Sequence, residues 1–298
     1  MIELVIDAKR HDLGGFEVSR VLPAAARRMV GPFIFFDRMG PHDMPGPIPR
    51  QVDVRPHPHI GLSTVTYLFS GQMTHRDSTG IEQEIVPGAL NWMTAGAGIS
   101  HSERFDGLRQ QGGHMDGIQA WVAVPEANEE DEPAFDHYPE ASLPMLQEGG
   151  VSSRLIAGSA FGVRSPAKTH SPLFYLHAEL QANAQLALPQ EYSERAVFVA
   201  SGSIEVGADR YLPGQMVLFT AGAAATVRAP EKTRLMLLGG EPLGTRHIWW
   251  NFVSSRKERI EQAKADWLAG RIPLPSLDNQ EFIPLPETPK PAKPNPMS

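Results

Sequence analysis

A chain of 298 residues, 41% apolar and 20% charged, has room for one large or two ordinary globular domains. Its net charge of −7, with no Lys/Arg-rich run, argues against direct nucleic-acid binding, because phosphate contacts need clustered cations. The absence of cysteine excludes disulfide frameworks, thiolate zinc sites and cysteine nucleophiles, so any metal must be held by His, carboxylate or water.

From the start, Met1 to Val18 alternates and carries charge too early for a signal peptide, and nowhere do 18 apolar residues run together. A cytoplasmic protein without a membrane span is expected. The aromatic stretch Phe33, Phe35, Phe36 and Met39 reads as core closing one end of a β-structure. His57-Pro58-His59 follows, and in an extended chain residues i and i+2 project from the same face. Ser63 to Phe69 is β-branched and aromatic with period two, the chemistry of a strand. Turn signals come at Ser70-Gly71, Ser78-Thr79-Gly80, Pro87-Gly88 and Ala95 to Gly98, a spacing that suggests a sandwich or barrel. Between them, His75-Arg76-Asp77 sits in the polar hairpin Met73 to Gly80 and is expected to face solvent or to bond within its turn, with a place on the rim of a metal pocket as the alternative. His101-Ser102-Glu103 is a second i, i+2 pair of donor side chains.

Further on, the acidic stretch Pro125 to Pro144 reads as a solvated connector. Beyond it the pattern repeats. Pro87-Gly88 with Thr94-Ala95-Gly96 recurs as Pro213-Gly214 with Thr220-Ala221-Gly222, an offset of 213 − 87 = 126. Tyr67 to Gly71 recurs more loosely as Phe198 to Gly202, an offset of 202 − 71 = 131, which fits a shorter hairpin in the second copy. Ser255-Arg256-Lys257-Glu258 has the form of a capping box, and Ile260, Ala263, Trp267 and Leu268 repeat at helical spacing until Gly270 and Pro273. The Pro-rich tail Pro273 to Ser298 is expected to be extended or partly disordered, either pinned by Phe282, Ile283 and Leu285 to the body or to a second subunit, or free along its length.

If the strands between the two donor pairs fold back as a barrel, the pairs can face each other across its interior. Three neutral imidazoles, His57, His59 and His101, with the carboxylate of Glu103 would hold one divalent first-row metal and leave positions open. The matching positions of the second copy are Leu188, Gln190, Val227 and Ala229, so only one copy keeps the constellation. Phe36, Trp92 and Met93 are candidates for an apolar substrate pocket above the metal.

The string His57 to Gly71, then Pro87-Gly88 and Asn91 to Glu103, resembles the pirin family of the cupin superfamily. Gly31 to Asp37 and Asn251 to Ile260 are similar to that family as well. The resemblance implies an all-β bicupin of two antiparallel β-barrels of jelly-roll type packed together. It places a metal-binding cupin over 1–135, a metal-free cupin over 136–253, and an amphipathic helix with the Pro-rich tail over 254–298. It also implies iron as Fe2+, with Zn2+, Ni2+, Mn2+ or Cu2+ as alternatives, held by His57, His59, His101 and Glu103. Ser63 stands where the general cupin motif has a glutamate ligand. The implied activity is that of a quercetin 2,3-dioxygenase, taking a small aromatic flavonol and O2, with Glu103 as catalytic base. A different class, an iron-dependent redox-sensing regulator that binds a protein partner, is the alternative.

Overall fold

The computed structural model describes residues 2–12 and 16–287. Its strands form two barrels built alike, each a large antiparallel sheet backed by a four-stranded one. In the first, the large sheet runs Ala134–Tyr138, Leu90–Thr94, Leu62–Ser70, Gly112–Ala123, Phe33–Pro45, Glu17–Leu22, Lys9–Asp12. The small sheet runs Val54–His59, Ile99–Arg104, Met73–Asp77, Glu82–Ile85. The second barrel repeats this plan, its small sheet running Gln185–Ala187, Thr226–Arg228, Ile204–Val206, Asp209–Tyr211. Among the described residues no helix is long and apolar enough to cross a membrane.

The two large sheets meet face to face. Phe33, Phe36, Val65, Tyr67, Trp92 and Ile118 of one interlock with Ile156, Tyr175, Phe198, Met216 and Leu238 of the other in a single buried cluster. Phe36 packs on Phe198 with ring centroids 5.1 Å apart. Each such side chain taken from water contributes about 1.5–3 kcal/mol, so the contact between the barrels adds to the stability of both.

Two strands cross the boundaries expected at 1–135 and 136–253. Ile2–Asp7 pairs with Gln215–Phe219 at the edge of the second large sheet. Ala134–Tyr138, from the expected connector, pairs with Leu90–Thr94 in the first. Pairing partners far apart in sequence leave no local signal, which is why the boundary looked simple.

The rest of the connector also departs from a solvated loop. Glu129 is 2% exposed and accepts hydrogen bonds from Ser254 Oγ (2.6 Å) and the Ser255 amide (2.7 Å), with Arg246 Nε 3.4 Å away. This buried carboxylate replaces the expected capping box. The helix Lys257–Leu268 starts after Arg256 with no side-chain cap, and Ser254 Oγ accepts the Arg256 amide at 3.1 Å. Ile260, Ala263 and Trp267 face Ile60 and Phe252 as the spacing required, but Leu268, about 100° round the helix from Trp267, falls outside that stripe and is 75% exposed.

The tail is pinned as far as it is described. The Ile283 amide donates to Pro56 O (2.8 Å) and Trp267 Nε1 to Ile283 O (3.1 Å), while Arg104 holds Asp278 and Glu281. The expected course of 288–298 lies outside the described residues. Replacing Glu129 by Ala leaves the Arg246 side chain, 4% exposed, without its carboxylate. We expect a loss of about 3 kcal/mol, read as a lower midpoint of urea unfolding; an unchanged midpoint would show that Glu129 does not anchor this junction.

Candidate metal centre

The strand Val54–His59 lies at the edge of its sheet, and its prolines suit that place, since an outward-facing edge position needs no ladder amide. Pro56 turns its carbonyl outward to Ile283, while His57 pairs across the ladder with His101. The two donor pairs therefore stand on neighbouring strands of one sheet, not across the barrel from each other. His57 and His101 ring centroids are 4.4 Å apart, His57 and His59 4.9 Å, His59 and His101 5.1 Å.

Possible ligand atoms of His57, His59 and His101 lie within 4.8 Å of one another, and all three residues are buried. The Nδ1 atoms are engaged behind the cluster: His57 with Arg55 O (2.9 Å), His59 with Asn251 O (3.2 Å), His101 with His75 Nδ1 (3.3 Å). A carbonyl can only accept, so His57 and His59 carry Nδ1–H and leave Nε2 with a free lone pair. Nε2 of His59 and of His101 are 3.1 Å apart. Two nitrogens bound at about 2.1 Å to one ion, at right angles, would be about 3.0 Å apart. Burial lowers the pKa of His57 to about 4, and burial together with the neighbouring imidazoles pushes His59 and His101 well below the usual value. Neutral, convergent imidazole donors fit a divalent first-row metal.

Gly61 explains how Asn251 reaches the site. Its φ is +66°, and a Cβ there would stand 2.1 Å from Val253 O, so only glycine lets the 251–253 segment lie against Ile60.

Glu103 lines the same cavity as His57 and His59 but does not join the cluster of three. Burial raises its pKa to about 7, opposed by an amide bond from Gln119 Nε2 (3.3 Å). Thr66 Oγ1 donates to Gln119 Oε1 at 2.6 Å, which turns the Gln119 NH2 toward Glu103.

The cavity encloses about 500 Å³, within the range of small-molecule sites. Phe35 stacks on Trp121 (4.1 Å, 14°), and Trp121 stands edge-on to His59 (5.2 Å). The Arg20 guanidinium lies over Phe35 (4.4 Å) and grips Asp37 with two bonds of 2.8 Å. Ile283 of the tail and Trp250 complete the wall. Phe36, Trp92 and Met93 do not line it. Phe36 and Trp92 lie between the barrels, and Met93 packs with Ala95 and Ile99. The register slips at Ile34, Trp121 facing Phe35 and Val122 facing Phe33, so Phe33 and Phe36 go to the inter-barrel core while Phe35 and Met39 face the cavity.

His75 and Asp77 do not face solvent, but they do bond within their hairpin, as the other arm of that reading had it. They are 2% and 1% exposed, with His75 Nε2 3.0 Å from Asp77 Oδ2. The strand Met73–Asp77 alternates buried and half-buried positions, and the buried ones happen to be occupied partly by polar residues. In the second barrel, Leu188, Val227 and Ala229 belong to a continuous apolar core, and Gln190 is exposed.

Residues 15–122 match the Pirin family model and residues 175–273 the Pirin C-terminal cupin domain model. A pirin-like protein of Caulobacter vibrioides is 58% identical over 96% of this chain and 100% of its own length. A Pseudomonas aeruginosa protein provisionally named a quercetin 2,3-dioxygenase is 38% identical over 90% of this chain and 84% of its own. The solved structure of a quercetin 2,3-dioxygenase from Acinetobacter baumannii superimposes with a TM-score of 0.88 at 29% identity, covering 97% of each chain.

His57→Ala and His101→Ala should each lose bound metal in elemental analysis, while His177→Ala, whose ring bonds Tyr67 away from the cluster, should keep it. Undiminished occupancy in the first two would mean that the ion sits elsewhere.

Proposed function

The chain belongs to the pirin family, and from that premise we propose that it is a metal-dependent dioxygenase that opens the heterocyclic ring of quercetin-like flavonols with O2. The observation that carries this reading is the aromatic cavity of about 500 Å³ that opens onto His57 and His59. The flat stack of Phe35 and Trp121 suits a planar polycyclic ring, and Gln51, Asn251 and the Arg20–Asp37 pair supply polar partners for hydroxyl groups.

His57, His59 and His101 would hold the ion, with Glu103 as fourth ligand or as base. Fe2+ is the ion we favour; imidazole and carboxylate donors also accept Zn2+, Ni2+, Mn2+ or Cu2+. When bound, the metal would supply Lewis acidity toward the flavonol 3-hydroxyl and, where the ion is redox-active as Fe2+ is, a redox partner for O2. The chain's own part is to orient the ring, exclude water and take the proton. Burial raises the pKa of Glu103 to about 7 in the metal-free site, the direction that favours proton uptake by a general base. The Gln119 amide keeps one carboxylate oxygen occupied and so limits how the group can turn. In this reading, flavonol and O2 yield a depside and carbon monoxide.

Aerobic incubation of the iron-loaded protein with quercetin should bleach the flavonol absorbance and release carbon monoxide. No turnover with any of the five metals would sink the enzyme reading and leave partner binding as the alternative. Glu103→Gln should keep its metal on the three imidazoles yet lower kcat at least 100-fold; full activity would remove Glu103 as base.

A further inference from the structure

His101 differs from the other two imidazoles in what stands behind it. His57 and His59 lean on backbone carbonyls, which no side-chain change removes, whereas His101 Nδ1 meets a side chain, His75 Nδ1, at 3.3 Å. On the ladder His101 lies opposite Asp77 and Glu103 opposite His75, so His75 is the diagonal neighbour of His101, within reach of a long side chain. His75 Nε2 lies 3.0 Å from Asp77 Oδ2, and the two side chains are 3% and 0% exposed. Asp77 is itself held, its Oδ1 accepting the Thr79 amide (2.9 Å) and the Thr79 hydroxyl (2.6 Å). Phe135, from the strand added by the connector, stacks on the His75 ring at 4.4 Å and 25°.

We infer that His75, fixed by Asp77, is a positioning residue of the metal centre that makes His101 an Nε2 donor. The direction of every bond follows from Asp77. A carboxylate accepts only, so His75 carries its hydrogen on Nε2 and presents the Nδ1 lone pair to His101. That pair can accept only Nδ1–H from His101, which leaves the lone pair of His101 on Nε2, beside Nε2 of His59. The carboxylate's charge, passed along two imidazoles, also strengthens His101 as a donor. In the second barrel the corresponding strand Ile204–Val206 has no histidine, in keeping with the loss of the ligands there. The inference rests on the metal reading above, not on the flavonol.

The test uses the full chain and Co2+ as probe, with affinity measured by chelator competition and the visible Co2+ absorption recorded. His75→Phe keeps the stack on Phe135 and removes the acceptor; His75→Gln restores an acceptor through its amide oxygen. His75→Phe should weaken Co2+ binding about 10–100-fold and change the absorption bands, and His75→Gln should recover most of both. Should His75→Phe fail to fold, Asp77→Asn, of the same shape without the charge, should still shift the bands. A folded His75→Phe protein with wild-type affinity and spectrum overturns the inference alone. A wild-type protein that binds no Co2+ overturns the metal reading and this inference together.

Discussion

Three imidazoles can be packed with ligand atoms inside 4.8 Å in the interior of a barrel only while none of them is charged. Burial keeps them so, since moving an imidazolium out of water costs more than the site could return. Neutrality then makes a second demand, because each ring has one N–H that must be bonded away from the cluster. Arg55, Asn251 and His75 meet it, and these contacts explain why the tight Gly61 turn, the edge strand with its prolines and the Asp77 turn all border the site. The centre is thus a solution to a hydrogen-bonding problem before it is a place for a metal.

The two barrels show what happens with and without that problem. Their strand plans match, yet the interior of the second is filled by Leu188, Val227, Leu235, Leu237 and their neighbours, while the first leaves room for imidazoles and a cavity. The second barrel contributes in another way. Tyr175, Phe198 and Met216 support the outer face of the sheet whose opposite face presents Trp121 and Gln119 to the cavity. The apolar barrel acts as a backing plate for the polar one.

Much of this was legible in the sequence where the signal was periodic or local. The offsets of 126 and 131 revealed two matched units, and the His57, His59 and His101 pattern located the cluster. Other features were hidden for physical reasons. One slipped residue at Ile34 exchanges which of Phe35 and Phe36 reaches the cavity, and a bulge leaves no mark in composition. The burial of His75 and Asp77 was hidden because polar residues are usually outside; it is offset by the bond between them, by Thr79 and by His101. Ser255 and Glu258 had the right spacing for a cap, but Glu129, far away in sequence, takes the Ser255 amide, and the helix begins only at Lys257.

The dependence of His59 on Asn251 has a consequence in time. On a ribosome making about 5–20 residues per second, the ligand-bearing strands emerge on the order of ten seconds before the carbonyl that steadies His59. Ile2–Asp7 waits longer still for its place beside Gln215–Phe219 than the ligands wait for each other, and Ile283 arrives last to cover Pro56. The three donors are therefore synthesised well before Asn251, Trp250 and Ile283, which complete the far wall of the cavity.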